Sequence, residues 1–249
     1  MVDPASYDGY AAHELAAVLR IPRVEVRHRT PSTLDVAHEL GSAGAPAGTL
    51  VIADEQTEGR GRSGARWTSP GGSGLWLTLL ERPRRGSGID VLSLRVGLRC
   101  ARALDRFASE PIRLKWPNDL YVQDRKLAGV LIEARWREQR LEWVAIGLGV
   151  NVAAPQGVAD AGRLDSGTAR VEVLTELIPA LRAAAAAQGL LTPREMSEWN
   201  ARDLARGRAC TEPARGTVSG ITASGELIVS LSDSVSRFRS GSLVLDRLA

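Results

Sequence analysis

The spacing of apolar residues changes repeatedly along the chain, and each change predicts an element. "YAAHELAAVLR" (10–20) repeats at helical spacing and predicts a short helix. In "TPSTLDVAHELGS" (30–42), Ser32 or Thr33 supplies an N-cap, Leu34, Ala37 and Leu40 make an apolar stripe, and Gly41 is the stop. "TLVIADEQ" (49–56) and "GLWLTLLE" (74–81) are near-continuous apolar runs and predict buried strands. "GIDVLSLRVGLRCARALDRF" (88–107) predicts a long amphipathic helix. "IRLKWP" (112–117) alternates as a half-buried strand does. "LYVQDRKLAGVLIEARW" (120–136) predicts a hairpin turning at Gln123-Asp124-Arg125, and "LEWVAIGLGVNV" (141–152) a further strand. "AAPQGVADAGRLDSGT" (153–168) has no period and predicts a mobile loop. Two helical patterns follow: 171–189, which Pro179 should kink or break, and 192–204, which opens with a Thr cap and Pro in its first turn. From about Gly207 the pattern shortens to brief strands punctuated by Gly and Ser, as in a small β-barrel. The fold class this predicts is α+β: a mixed, mostly antiparallel sheet with helices over residues 1–204, then a small all-β domain over 205–249.

Composition narrows the field. The 249 residues are 44% hydrophobic and 24% charged, ordinary for a globular protein of one domain plus a small appendage. No run of about 18 apolar residues is present, so no membrane span is expected. The start, "MVDPASYDGY", has no apolar h-region and does not read as a signal peptide. Cys100 and Cys210 lie far apart without metal spacing, and the expectation is two reduced thiols in a cytoplasmic protein. His13, His28 and His38 share no metal spacing either. A net charge of +3 is too weak for a dense cationic face, which argues against a nucleic-acid partner. Of the 32 basic residues only Lys115 and Lys126 are lysines, and both lie within "LKWPNDLYVQDRKLAGVLIEARW".

Two segments carry candidate chemistry. "DEQTEGRGRSGARWTSPGGSG" (54–74) follows a buried strand. Gly59, Gly61 and Gly64 permit positive φ and close approach to a ligand, and Arg60 and Arg62, alternating with them, are placed to fork onto one anion. Trp67 is placed to stack on a flat ring. The segment fits neither G-x-x-x-x-G-K-[ST] nor a dinucleotide fingerprint, so a nucleotide would bind by another scheme. In the second segment, Trp116-Pro117-Asn118-Asp119 is rigid turn chemistry, and antiparallel return brings Lys126 near Lys115 through Asp119. A compact ammonium suits a carboxylate or acyl phosphate in a tight pocket, where a planar guanidinium does not substitute.

In this order and spacing, "EQTEGRGRSGARW", "KWPNDLYVQDRKLAGVLIE" and "AIGLGVNV" resemble the catalytic domain of biotin protein ligases. The resemblance implies a catalytic domain related to class II aminoacyl-tRNA synthetases, followed by an SH3-like barrel, in a form without an N-terminal DNA-binding domain. It implies biotin, ATP and Mg²⁺ as substrates and cofactor, formation of biotinyl-5′-AMP, and transfer of biotin to a lysine of the carrier domain of acetyl-CoA or pyruvate carboxylase, by a monomer or homodimer. By the same resemblance Ser32, Thr33 and Gln56 bind the ureido end of biotin, beside Leu34, Gly59 and Gly61. Gly129 and Gly149 leave room for the rings and chain. Arg60, Arg62 and Lys126 receive the carboxylate and phosphates. Asn118, Asn151 and Trp67 serve the nucleotide, and Asp119 orients the incoming amine. Loops 59–74 and 153–167 are expected to close over the adenylate. Leu34, Ser63 and Ala65 depart from the family, which often has Asn, Arg and Arg there. Rival readings are a lipoate ligase or octanoyltransferase of similar fold, an Arg-rich nucleic-acid-binding protein, and a biotin sensor that binds without transfer.

Overall fold

The computed structural model describes residues 6–83, 86–155, 157–158 and 161–246. A two-strand ribbon, β1 (Ser6–Tyr7) and β2 (Tyr10–Ala11), leads into α1 (Ala12–Leu19). A seven-stranded sheet follows: β3 (Arg23–Thr30), β4 (Thr49–Gln56), β5 (Gly74–Glu81), β6 (Arg113–Lys115), β7 (Asp119–Val122), β8 (Arg125–Arg137) and β9 (Arg140–Asn151). Its spatial order is β3-β4-β5-β9-β8-β7-β6. Only β3 and β4 run parallel, because α2 (Thr33–Ser42) carries the chain back between them; every other neighbour is antiparallel. All eight residues of β5 are buried, since α2 packs on it and α4 (Arg170–Ala186) also contacts it. This accounts for its unbroken apolar run. Helix α3 (Leu92–Leu104) packs on α4, β6 and β8. Its Arg95, 1% exposed, is satisfied by Glu195 at 2.8 Å and the Leu190 carbonyl at 2.9 Å, which fix α5 (Pro193–Arg202).

The last residues form a five-stranded antiparallel sheet of β10 (Ala209–Glu212), β11 (Gly216–Ile221), β12 (Leu227–Ser230), β13 (Val235–Phe238) and β14 (Val244–Leu245), in the order β13-β12-β11-β10-β14. It is pinned to the larger sheet where Trp116 donates its indole N–H to the Gly225 carbonyl at 2.9 Å. No described helix is long and apolar enough to cross a membrane.

Four elements differ from the expectation. Strand β3 is absent from the sequence reading: "RVEVRHRT" buries only Val24, Val26 and Thr30, because it is the sheet's edge. Helix α4 runs unbroken through Pro179. Pro179 and Thr175, whose carbonyl loses its donor, both lie on the solvent side, while Val173, Leu174, Leu177, Ile178 and Leu181 anchor both sides. The hairpin turns on two residues, Gln123 and Asp124, with Gln123 at φ 53°. Finally, the described end of the 153–168 segment is docked: Gly162 N donates to the Lys126 carbonyl at 2.8 Å, and Leu164 is 2% exposed.

Candidate active site

The carboxyl ends of the parallel strands β3 and β4 and the first turn of α2 meet at one end of a cavity of about 330 Å³. Ser32 caps α2 by accepting the Leu34 N–H at 3.3 Å. Gln56, the last residue of β4, accepts from the Thr33 N–H at 2.9 Å and the Thr33 hydroxyl at 3.1 Å. Its amide nitrogen donates to Ser69 Oγ at 2.9 Å, and the Thr33 hydroxyl also meets Thr78 Oγ1 at 2.8 Å. Leu34 is buried with Val36, Ala37, Val51 and Ala145 and packs against Gly147. This end of the cavity is neutral.

The Gly-Arg segment folds back on itself. Trp67 N donates to the Gly59 carbonyl at 2.8 Å and Gly61 N to the Ala65 carbonyl at 2.7 Å. Gly59 and Gly61 do not take positive φ; Gly61 is extended at φ −113°, and the left-handed positions are Ser63 and Gly64. Gly59 is outside the cavity lining, but a Cβ there would stand 2.4 Å from the Trp67 carbonyl, so its lack of a side chain admits the return strand. The far end of the segment is tied down by Gly72 N, which donates to Asp54 at 3.1 Å. Burial pushes the Asp54 carboxyl up, but Arg170 at 2.6 Å and the Gly72 N–H hold it below its ordinary value.

Arg60 and Arg62 both reach the cavity but do not fork onto one point. Arg60 pairs with Asp35 at 2.9 Å and lies 3.6 Å from Glu133. Arg62 begins a 3₁₀ turn, which breaks the extended alternation, and faces Asp119 instead. Burial lowers the Arg62 guanidinium and Asp119 opposes that shift. Glu133 is also held by His38 Nε2 at 2.8 Å, while His38 Nδ1 accepts the Trp143 N–H at 3.1 Å.

Trp67 lies in a notch. Gly129 and Gly149 are register partners on β8 and β9, and a Cβ on them would come within 3.1 and 2.5 Å of the indole. The space that the paired glycines leave is therefore filled by Trp67, which lines the cavity there. Lys126 Nζ sits 5.2 Å from the indole centroid.

At the charged end, Lys126 Nζ is 2.8 Å from Asp119 Oδ1. That oxygen receives no aligned hydrogen bond, so the contact is Coulombic and leaves the ammonium's donors free to turn. Lys115, opposite Asp119 in the β6–β7 register, also lines the cavity, 5.9 Å from the Tyr121 ring. Burial pushes the Lys115 amine below the ordinary lysine range; Asp119 opposes this, and Lys126 and Arg208 reinforce it. Burial, with Asp119, raises Tyr121 to about 12. Asn118 lines the cavity but spends its amide on the Val130 carbonyl at 2.7 Å. Asn151 is outside the lining: its amide holds the Gly162 carbonyl at 3.1 Å and lies 3.4 Å from that of Lys126. The sequence reading left Thr78, Ser69 and Arg66 unremarked. A lone Thr in the buried run "GLWLTLLE" was the available signal for Thr78. Gly241 to Val244 of the C-terminal sheet close the cavity beside Lys115 and Pro117.

Comparison with known proteins places this geometry. Residues 26–151, just over half the chain, match the biotin/lipoate A/B protein ligase family. The bifunctional ligase/repressor BirA of Escherichia coli is 42% identical over 108 residues, covering 43% of this chain and 34% of that protein. The biotin–[acetyl-CoA-carboxylase] ligase of Paracoccus denitrificans is 37% identical over 142 residues, covering 56% of this chain and 57% of that one. These matches span between about a third and somewhat over half of the relatives' length. The biotin protein ligase of Aquifex aeolicus, solved with biotin and ATP, superposes with a TM-score of 0.74 at 25% identity, covering 90% of this chain and 99% of that one. The chain belongs to the biotin/lipoate A/B protein ligase family.

Proposed function

We propose that the chain is an ATP-dependent biotin–protein ligase. The observation that carries this reading is one cavity with two chemically opposite ends: neutral hydrogen-bonding groups from Ser32, Thr33 and Gln56 at one, cations from Arg62, Lys115 and Lys126 at the other. A substrate with a neutral cyclic urea at its head and a carboxylate at its tail matches that polarity. The biotin carboxylate attacks the α-phosphorus of ATP and displaces pyrophosphate, giving biotinyl-5′-AMP. Lys126 and Arg62 hold the carboxylate and offset the charge that gathers on phosphorus. A carrier-domain lysine amine then attacks the acyl carbon and releases AMP, with Asp119 orienting the amine. Trp67, beside Lys126, keeps water from the mixed anhydride.

The charged end holds one carboxylate, Asp119, already set against Lys126, and among the described residues no group of three His, Cys, Asp or Glu residues could hold a metal ion. Mg²⁺ would on this reading be held by the nucleotide's phosphate oxygens. On this reading residues 1–204 are the catalytic domain and 205–249 an SH3-like module whose Gly241–Val244 edge borders the phosphate end. The carrier is the biotin carboxyl carrier domain of a carboxylase, as the name of the Paracoccus relative suggests. The test is incubation with ATP, a carrier domain and labelled biotin or labelled lipoate. Label on the carrier from biotin supports the reading; label from lipoate alone overturns it.

A further inference from the structure

The neutral end of the cavity is held by a one-way chain of hydrogen bonds. The Thr33 N–H can only donate, so the atom it meets at 2.9 Å is the Gln56 amide oxygen, and the Gln56 nitrogen faces Ser69 Oγ. Thr33 has one hydroxyl proton, and the Gln56 oxygen at 3.1 Å accepts it. Thr78 is fully buried, and its hydroxyl has one side-chain partner among the described residues, Thr33 Oγ1 at 2.8 Å. Every proton therefore finds an acceptor only if Thr78 donates to Thr33, Thr33 to Gln56, Gln56 to Ser69, and Ser69 to the Trp67 carbonyl at 3.3 Å. Gly59 makes room for the far end, since a Cβ there would stand 2.8 Å from Ser69 Oγ and 3.2 Å from the Gln56 nitrogen.

With those protons spent, the groups left over have fixed character. Gln56 keeps one N–H. Ser32, 2% exposed, accepts from Leu34 N and keeps its own O–H. Thr33 Oγ1 keeps one lone pair. Two donors and one acceptor suit a cyclic urea, whose carbonyl takes the donors and whose N–H meets the acceptor. A dithiolane offers no N–H and only weakly accepting sulfur, and would leave the buried Ser32 and Thr33 groups and the half-buried Gln56 N–H unpaired.

We propose that Thr78 is a specificity-determining positioning residue: by donating to Thr33 Oγ1 it pins that hydroxyl in the direction the Thr33 N–H has already imposed on Gln56, and leaves it one lone pair to meet a urea N–H that a dithiolane head lacks. Thr78 does not touch the substrate. This rests on the ligase reading above and deepens it.

The test is calorimetric binding of biotin, lipoate and ATP to the full chain as wild type, Thr78→Val and Thr78→Ser. Valine keeps the shape and removes the donor; serine restores it. Thr78→Val is expected to weaken biotin about ten- to hundredfold, leave ATP affinity unchanged and leave lipoate no weaker, so that discrimination falls by that factor. Thr78→Ser is expected to recover most of it. Unchanged biotin affinity in Thr78→Val overturns the proposal, as does an equal loss for biotin and ATP, which would mark a merely structural role. If Thr78→Val does not fold, Thr78→Ala removes the same donor, and the same two outcomes decide. Wild-type chain that binds no biotin would defeat the ligase reading itself; wild type that binds biotin beside an unaffected variant defeats this inference alone.

Discussion

The two ends of the cavity are built on opposite plans. At the neutral end, Thr33, Ser69 and Thr78 are no more than 3% exposed, and each hydroxyl proton has one acceptor. At the charged end, Lys126 is 38% exposed and is held by the Asp119 carboxylate rather than by backbone. Ion pairs that open to water contribute little, on the order of 1 kcal/mol or less, and exchange partners readily. A buried network with every proton assigned does not rearrange without leaving a polar group unpaired. The difference separates selection from chemistry. The neutral end is rigid and recognises a head group; the charged end trades its resting carboxylate for the anions of substrate and nucleotide.

The largest expected effect breaks the charged end alone. Lys126→Arg keeps the charge but replaces a compact ammonium beside Asp119 and Trp67 with a planar fork. Pyrophosphate release should fall by about 100-fold or more, while affinity for biotin methyl ester, which lacks the carboxylate, stays at the wild-type value. Next comes the Trp67 notch. Gly149→Ala puts a Cβ about where the Trp67 indole now lies, 2.5 Å from its nitrogen. The indole must leave its notch, at a cost of about 1–3 kcal/mol. Tryptophan emission should shift to the red, and adenylation should slow by roughly tenfold.

How legible this arrangement is in the sequence depends on range. The charged end is written in one short segment: 115–126 contains Lys115, Asp119 and Lys126, and two successive antiparallel turns bring them together. The cap at Ser32 and strand β5 are equally local. Thr78 and Ser69 were not legible, because their partners lie 45 and 13 residues away and only packing joins them. The glycine pair was legible only in part, for a related reason. Gly129 and Gly149 do mark a groove, but its occupant, Trp67, arrives from another segment. Edge strand β3 escaped notice because only Val24, Val26 and Thr30 are buried, and "GRGR" read as an extended fork although the segment curls back through Gly61 N to the Ala65 carbonyl and Ala65 N to the Arg62 carbonyl.

Smaller effects sharpen the contrast. The groups that hold the head, Ser32, Thr33 and Gln56, do not titrate, so binding of biotin methyl ester should stay level from about pH 6 to 9. Lys115 sits below the ordinary lysine range and loses its proton earlier as pH rises. Adenylation should therefore decline on the alkaline side before an exposed lysine would titrate, and Lys115→Arg, which stays charged, should abolish that decline. The smallest effect concerns the resting partners. Asp35→Asn removes the closer of the two carboxylates facing Arg60, both partners being over 40% exposed. It should change stability by less than about 1 kcal/mol in thermal unfolding and steepen the dependence of ATP affinity on salt, because Arg60 then faces the nucleotide with less competition.

The most direct test of the division between a selecting end and a reacting end is pyrophosphate release from ATP by the full chain, with biotin or lipoate as the acid. Both carboxylates can reach Lys126, so only the head pocket distinguishes them. The account predicts release with biotin and none above background with lipoate. Release with lipoate at an equal or greater rate would contradict it.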